Sequence, residues 1–146
     1  MNDFLKSYGE LPIRSFEPGE VLIEEGAIGS NLLILDTGEV EIVKSGIRVT
    51  SVSTRGAFFG EVSLLLGEPA MATVRALRTT TVRELNQTAE FLAEHPSAGI
   101  EIARLLARRL GGVTKYLVDL RQQSSAQTQH LTMVDKILGN LLNSSG

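Results

Sequence analysis

The sequence predicts a mainly β fold with flanking helices: an antiparallel, jelly-roll-like β-roll with a short N-terminal helix, a short internal helix and long C-terminal helices. Three observations carry this. Turn residues recur at short intervals between about residues 16 and 88. The segments between them alternate apolar and polar residues with period two, the mark of half-buried strands. After residue 88 the apolar period becomes that of a helix.

In chain order, Phe4, Leu5 and Tyr8 form the apolar side of one helical turn, and Leu11-Pro12-Ile13 leads out of it. The turn signals follow as Pro18-Gly19, Gly26, Gly29, Asp36-Thr37-Gly38, Ser45-Gly46 and Gly56. Between them Val40 and Ile42 alternate with Glu39 and Glu41, Ile47 and Val49 with Arg48 and Thr50, and Val74 and Ala76 with Thr73 and Arg75. Lys44-Ser45-Gly46 reads as a hairpin tip. His95-Pro96-Ser97 reads as a helix entry, with proline in the first turn. Ile102, Leu106, Leu110, Val113, Leu117 and Leu120 then make one apolar stripe, interrupted by Gly111-Gly112. Two interior glycines cost about 1 kcal/mol each relative to alanine, and they mark either a kink or a close backbone approach. Residues 122–130 are polar, and Leu131, Val134, Leu138 and Leu141 share a face of a last helix. The expected organisation is one domain over 1–122, with the roll at about 11–88 and helices at 89–122, followed by a polar linker and short amphipathic helix over 123–146.

Composition narrows the function classes. A chain of 146 residues with 42% hydrophobic and 21% charged residues is long enough for a real core. Its net charge of −3 argues against a general nucleic-acid binder. The absence of cysteine excludes disulfides and thiolate catalysis. The longest apolar runs, such as Leu32 to Leu35, are too short to cross a membrane, and the first residues lack the basic and apolar regions of a signal peptide. A cytoplasmic location is the resulting expectation. His95 and His130 have no partners at metal or triad spacing. With no phosphate-loop or nucleophile-elbow motif either, nothing argues for an enzyme or for a bound cofactor.

One stretch carries the chemistry. Residues 58–74 run Phe58-Phe59-Gly60-Glu61-Val62-Ser63-Leu64-Leu65-Leu66-Gly67-Glu68-Pro69-Ala70-Met71-Ala72-Thr73-Val74. They read as a strand end, a glycine turn, a short helix with an apolar side in Leu64, Leu65 and Leu66, a second turn and a new strand. Gly60 allows positive φ or a close backbone approach. Gly67 closes the helix, and Pro69 cannot donate to a neighbouring strand. Amides at a helix start favour an anion, and a carboxylate such as Glu61 accepts hydrogen bonds from sugar hydroxyls.

This stretch resembles the phosphate-binding cassette of cyclic-nucleotide-binding domains, as in the bacterial catabolite activator and the regulatory subunits of cAMP-dependent kinase. Phe59-Gly60-Glu61-Val62-Ser63-Leu64 matches the first half of the family pattern. Pro69-Ala70-Met71-Ala72-Thr73-Val74 matches the second half, with Ala70 where the family has its phosphate-binding arginine and Met71 where it has a small or hydroxyl residue. Glu25-Gly26-Ala27-Ile28-Gly29, Leu35-Asp36-Thr37-Gly38-Glu39-Val40 and Arg55-Gly56-Ala57-Phe58-Phe59-Gly60-Glu61 resemble further family turns, so the resemblance covers roughly residues 10 to 122.

The resemblance implies a ligand site formed by Phe59, Gly60, Glu61, Val62, Ser63, Ala70, Met71, Ala72 and Thr73. In it Glu61 accepts from the ribose 2′-hydroxyl, and Gly60, Val62 and Ser63 offer N–H groups. Thr114 on the long helix stands near where the activator branch contacts adenine; an exposed helix threonine is the plainer reading. Met71 supplies no hydroxyl for guanine, which favours cAMP over cGMP. The ligand implied is cAMP or another cyclic nucleotide, bound weakly without the arginine. The long helix implies a homodimer through residues 102–120, its movement being the output. The resemblance also places the last helix where the activator branch opens a helix-turn-helix, but no DNA-reading element is expected in this chain. The alternative expectation is a fold that has lost its ligand and serves as a dimerisation or interaction module.

Overall fold

The computed structural model describes residues 9, 11–29, 31–86, 88–123 and 128–143, with the side chains of 88, 89, 128–132 and 143 outside that description. The expected N-terminal helix lies outside the described residues. The chain divides into two compact units, Met1–Ala98 and Gly99–Gly146.

Among its described residues the first unit holds eight strands: β1 (Ile13–Phe16), β2 (Val21–Ile23), β3 (Leu32–Thr37), β4 (Val40–Lys44), β5 (Ile47–Val52), β6 (Phe58–Phe59), β7 (Thr73–Ala76) and β8 (Thr80–Leu85). Helix α1 (Glu61–Leu66) joins β6 to β7, and α2 (Thr88–Glu94) follows β8. The strands form two four-stranded antiparallel sheets, ordered β1-β8-β3-β6 and β2-β7-β4-β5. This is the mainly antiparallel β-roll with flanking helices that turn spacing and alternation predict.

The core shows why the pattern gives this fold. Leu32, Leu33, Ile34 and Leu35 are all buried, because β3 lies inside its sheet between β8 and β6 and is covered on both faces. Phe16, Ile23, Leu33, Leu35, Val40, Phe59, Ala70, Val74, Ala76 and Val82 form one buried cluster contributed by both sheets. Ser45 and Gly46 have φ of 51° and 78°, so the β4–β5 hairpin closes on two left-handed residues, which suits the strand twist.

Strand β5 departs from its alternation. Ile47 and Val49 are 71% and 64% exposed. β5 is an edge strand, and the pairing shifts so that Ile42 faces Thr50 and Val43 faces Arg48, leaving Val49 as an extra residue. A bulge on an edge strand bends it away from further pairing.

The second unit contains most of α3 (Pro96–Gln123) and all of α4 (Thr128–Asn143). Proline opens α3, as the entry signal predicts. The polar stretch expected as a linker is helical at both ends, through Gln123 and again from Thr128, while residues 124–127 lie outside the described residues. Arg121 and Asp135 join the two helices by an ion pair of 2.8 Å. Along the predicted stripe Ile102 is buried, whereas Leu110 and Val113 are 47% and 50% exposed. A Cβ at Gly111 or Gly112 would meet nothing within 4 Å. No helix of the described residues is long and apolar enough to cross a membrane.

One turn is locked by sterics. Gly38, between β3 and β4, has φ of 100°, and a Cβ there would lie 2.6 Å from the Thr79 carbonyl oxygen. Beside it Thr80 is fully buried; its hydroxyl donates to the Arg78 carbonyl at 2.8 Å and accepts the Glu39 N–H at 3.2 Å. Gly38→Ala is expected to destabilise the roll by about 1–3 kcal/mol from backbone strain alone, read as a lowered urea midpoint with unchanged slope. A midpoint equal to that of the parent chain would contradict this account of the turn.

Candidate functional site

The site is built on the exit from β6. Phe58 and Phe59 pair with Ile34 and Leu33 of β3, and both are buried, so the strand end is fixed. The next residue must then turn away from the sheet. Gly60 does so with φ of 91° and ψ of 6°. A Cβ at that position would lie 2.6 Å from the carbonyl oxygen of Asn31 and 3.4 Å from Cδ1 of Ile23. Conformation and space therefore both demand glycine. The Gly60 carbonyl accepts the Leu64 N–H at 3.1 Å, which starts α1. The first N–H groups of any helix have no acceptor within it. Gly67, with φ of 69°, ends the helix by donating its N–H to the Ser63 carbonyl.

Inside this helix the predicted apolar face is not the buried one. Leu64 is half-buried, while Leu65 and Leu66 are 48% and 66% exposed. The buried residue is Ser63, whose hydroxyl oxygen accepts the Gly29 N–H at 3.1 Å. A helix of six residues turns too little chain inward to bury three leucines, and the inward position is taken by the residue that can bond the neighbouring loop. Glu61 and Val62 are half-buried at the helix start.

Three further bonds tie the loop at residues 25–29 to the second half of the cassette. Gly26 N–H donates to the Ala70 carbonyl at 2.8 Å, and Ala70 N–H donates to the Ala27 carbonyl at 2.8 Å. Glu25 N–H donates to the Thr73 hydroxyl at 3.0 Å. Gly60, Ser63, Ala70 and Thr73 thus all contact residues 23–31 or bond to them. Ala70 is buried, Ala72 and Thr73 are half-buried, and Met71 is 62% exposed. Sequence reasoning took the 25–29 turn as a signature of the roll. It missed Glu25 and Gly29 as the residues that position the cassette; the glycine pair framing that turn was the available signal.

Glu25 is a tether as well. Its carboxylate accepts the Ser45 N–H at 2.9 Å and pairs with the Lys44 ammonium at 3.1 Å. The Ser45 N–H first, then Lys44, hold the Glu25 carboxyl below its ordinary range. Arg75 does not turn toward the cassette; it pairs with Glu41 across β4 and β7 at 3.6 Å. Position 70 supplies no counter-charge for a phosphate.

The remaining predicted residues have plain surroundings. Thr114 is half-buried on α3, within the second unit. His95 stacks on Phe91, with ring centroids 4.3 Å apart, and its Nδ1 lies 3.1 Å from the Phe91 carbonyl oxygen. The His130 side chain lies outside the described residues. Among the described residues no group of three or more His, Cys, Asp or Glu is placed to hold a metal.

The family model described as cyclic nucleotide-binding domain matches residues 13–93. The chain belongs to the cyclic-nucleotide-binding domain family. It is 34% identical over 86 residues to a cAMP-dependent protein kinase regulatory subunit of Eremothecium gossypii, covering 59% of this chain and 19% of that protein. It is likewise 34% identical over 110 residues to a cGMP-dependent protein kinase of Eimeria tenella, covering 73% of this chain and 9% of that one. The chain therefore spans less than a fifth of the length of either relative. The solved catabolite activator protein of Thermus thermophilus shares the fold, with a TM-score of 0.67 at 18% identity, over 99% of this chain and 83% of that one.

The Glu25 tether has a signed pH dependence. Its folded-state value lies below the unfolded one, so its stabilisation is complete above the unfolded glutamate value of about 4.3 and is lost as pH falls through the folded value. Glu25→Gln is expected to lower the urea midpoint at neutral pH, with the gap to the parent chain narrowing below about pH 4. A gap constant with pH would show that the ionised carboxylate is not what holds the hairpin.

Proposed function

We propose that this chain is a regulatory domain that senses an adenine cyclic nucleotide through residues 59–63 and 70–73. The observation that carries the reading is Gly60-Glu61 held at the end of β6, inside the span matched by the family model. In this reading the Glu61 carboxylate accepts from the ribose hydroxyls, while Gly60, Val62 and Ser63 supply N–H groups. Met71 offers no hydroxyl to guanine, so cAMP is preferred over cGMP. Nothing in the reading calls for a chemical step, so we assign no catalytic role to the domain.

Signalling in this proposal runs through α3. Ligand binding favours one position of the helix over another and so shifts a population rather than creating a new state. The exposed Leu110 and Val113 are the centre of a homodimer contact along residues 102–120, since two apolar side chains about half exposed on one helix stripe are what a second copy would cover. Sedimentation should show a dimer in the parent chain and a monomer after Val113→Glu; a parent chain that sediments as a monomer at high concentration would rule this contact out.

Ala70 favours a second reading, in which the fold serves as an interaction module without a ligand. A charge-assisted bond to phosphate contributes about 1.5–3 kcal/mol, so its loss weakens binding by about tenfold to a hundredfold. Calorimetric titration with cAMP separates the readings. Saturable heat below about millimolar ligand supports the sensor, Glu61→Ala should abolish it, and Ala70→Arg should tighten it by about tenfold to a hundredfold. Flat traces for the parent chain and for Ala70→Arg would leave only the module.

A further inference from the structure

A row of polar groups crosses the whole of the sheet that carries the cassette turn. Its strands lie in the order β1-β8-β3-β6. Arg14 of β1 pairs with the Glu84 carboxylate of β8 at 3.3 Å, and Oε1 of Glu84 accepts the Asn31 side-chain amide at 2.7 Å. Asn31 stands immediately before β3, and its backbone carbonyl oxygen is the atom that closes the space beside Gly60. The row therefore starts on the first strand and ends on the turn that leaves β6. A carboxylate accepts, so the group of Asn31 facing it is the NH2, and chemistry fixes the amide orientation. The bond is charge-assisted, which makes it one of the stronger kind. The Arg14 guanidinium also lies over the Phe16 ring, 5.0 Å from its centroid.

The sheet does not need the Asn31–Glu84 bond. β3 and β8 already pair from Leu32 against Leu85 to Thr37 against Thr81. β6 has much less to hold it, being two residues long and paired with β3 at Phe58 and Phe59. What stops the chain beyond it is the Asn31 carbonyl against the Gly60 backbone. Where that oxygen sits decides how deep the turn packs and where the first N–H groups of α1 point. A released Asn31 side chain would let the segment entering β3 shift, and the turn would shift with it. Binding would then have to restore the arrangement, and the cost of that ordering is subtracted from affinity.

We propose that Asn31 is a positioning residue of the cyclic-nucleotide site: Glu84, backed by Arg14, holds its amide so that its carbonyl sets the seat of the Gly60 turn. This rests on the reading of residues 59–63 and 70–73 as that site. Asn31 touches no ligand in this account and acts through Gly60. The requirements of the site thereby extend to β1 and β8, which carry none of the residues assigned to the ligand.

The test is calorimetric titration of the whole chain with cAMP, in the parent background and in Ala70→Arg. Asn31→Asp sets a carboxylate against Glu84 and should weaken binding by about fivefold or more. Asn31→Ala removes the bond without adding repulsion and should weaken binding by a smaller factor. Asn31→Asp combined with Glu84→Gln exchanges donor and acceptor, and should restore affinity to within about twofold of its background. In the ligand-free chain, hydrogen exchange at the Leu64 amide, which donates to the Gly60 carbonyl, should quicken in Asn31→Ala and recover in the exchanged pair. Where Asn31→Asp does not fold, Asn31→Ala and its Leu64 exchange decide alone. A purely structural role would lower the urea midpoint and leave the affinity of the folded chain unchanged. Equal affinity in all variants, or an exchanged pair as weak as Asn31→Asp, overturns the inference while the sensor reading stands. If neither the parent chain nor Ala70→Arg binds cAMP, the sensor reading itself falls and the inference falls with it.

Discussion

The arrangement of the first unit depends on one close approach, the backbone of Gly60 against the carbonyl oxygen of Asn31. A side chain at residue 60 would place carbon 2.6 Å from that oxygen. Because the space is closed, the chain leaving β6 can turn sharply into a helix of six residues directly over the loop that precedes β3. Everything assigned to the ligand follows from that turn. It brings Ser63 onto Gly29, sets Glu61 at the helix start, and returns the chain along Ala27 so that Ala70 and Thr73 lie against the same loop. The cassette is thus a backbone construction, and the side chains that distinguish one ligand from another are added to it.

That separation explains what was legible in the sequence. Glycine requirements are local and steric, so Gly60 and Gly67 announce the turn and the helix end without any tertiary knowledge. Strands β4 and β7 were equally readable, because Val40, Val74 and Ala76 face a core that buries them. Two features were not. The exposure of Ile47 and Val49 depends on β5 being an edge with a bulge, which is a property of sheet order rather than of alternation. The three leucines of α1 look like a core face, yet the inward position went to Ser63, since the neighbouring loop presents an N–H that needs an acceptor. Apolar content predicts burial only where enough helix exists to form a face.

At the site itself the residue types were legible and their connections were not. Glu61 and Ala70 can be placed from their spacing within the stretch. The role of Glu25, which joins the hairpin tip to the cassette loop through Ser45 and Lys44, requires contacts about twenty residues apart in sequence. This tether matters for function as well as stability, because it commits Lys44 to a carboxylate on the loop. In the same way Arg75 is committed to Glu41 across two strands. Two basic residues near the cassette are thereby spent on the framework.

Under the proposed function the turn at Gly60 and the loop facing it receive the sugar of a cyclic nucleotide. Two-dimensional amide NMR of the labelled chain during titration with cAMP tests this most directly. Saturable shifts concentrated at the amides of Gly60, Glu61, Val62, Ser63, Met71, Ala72 and Thr73 are the predicted result. Shifts scattered over the surface, or none up to the solubility of the ligand, would contradict it.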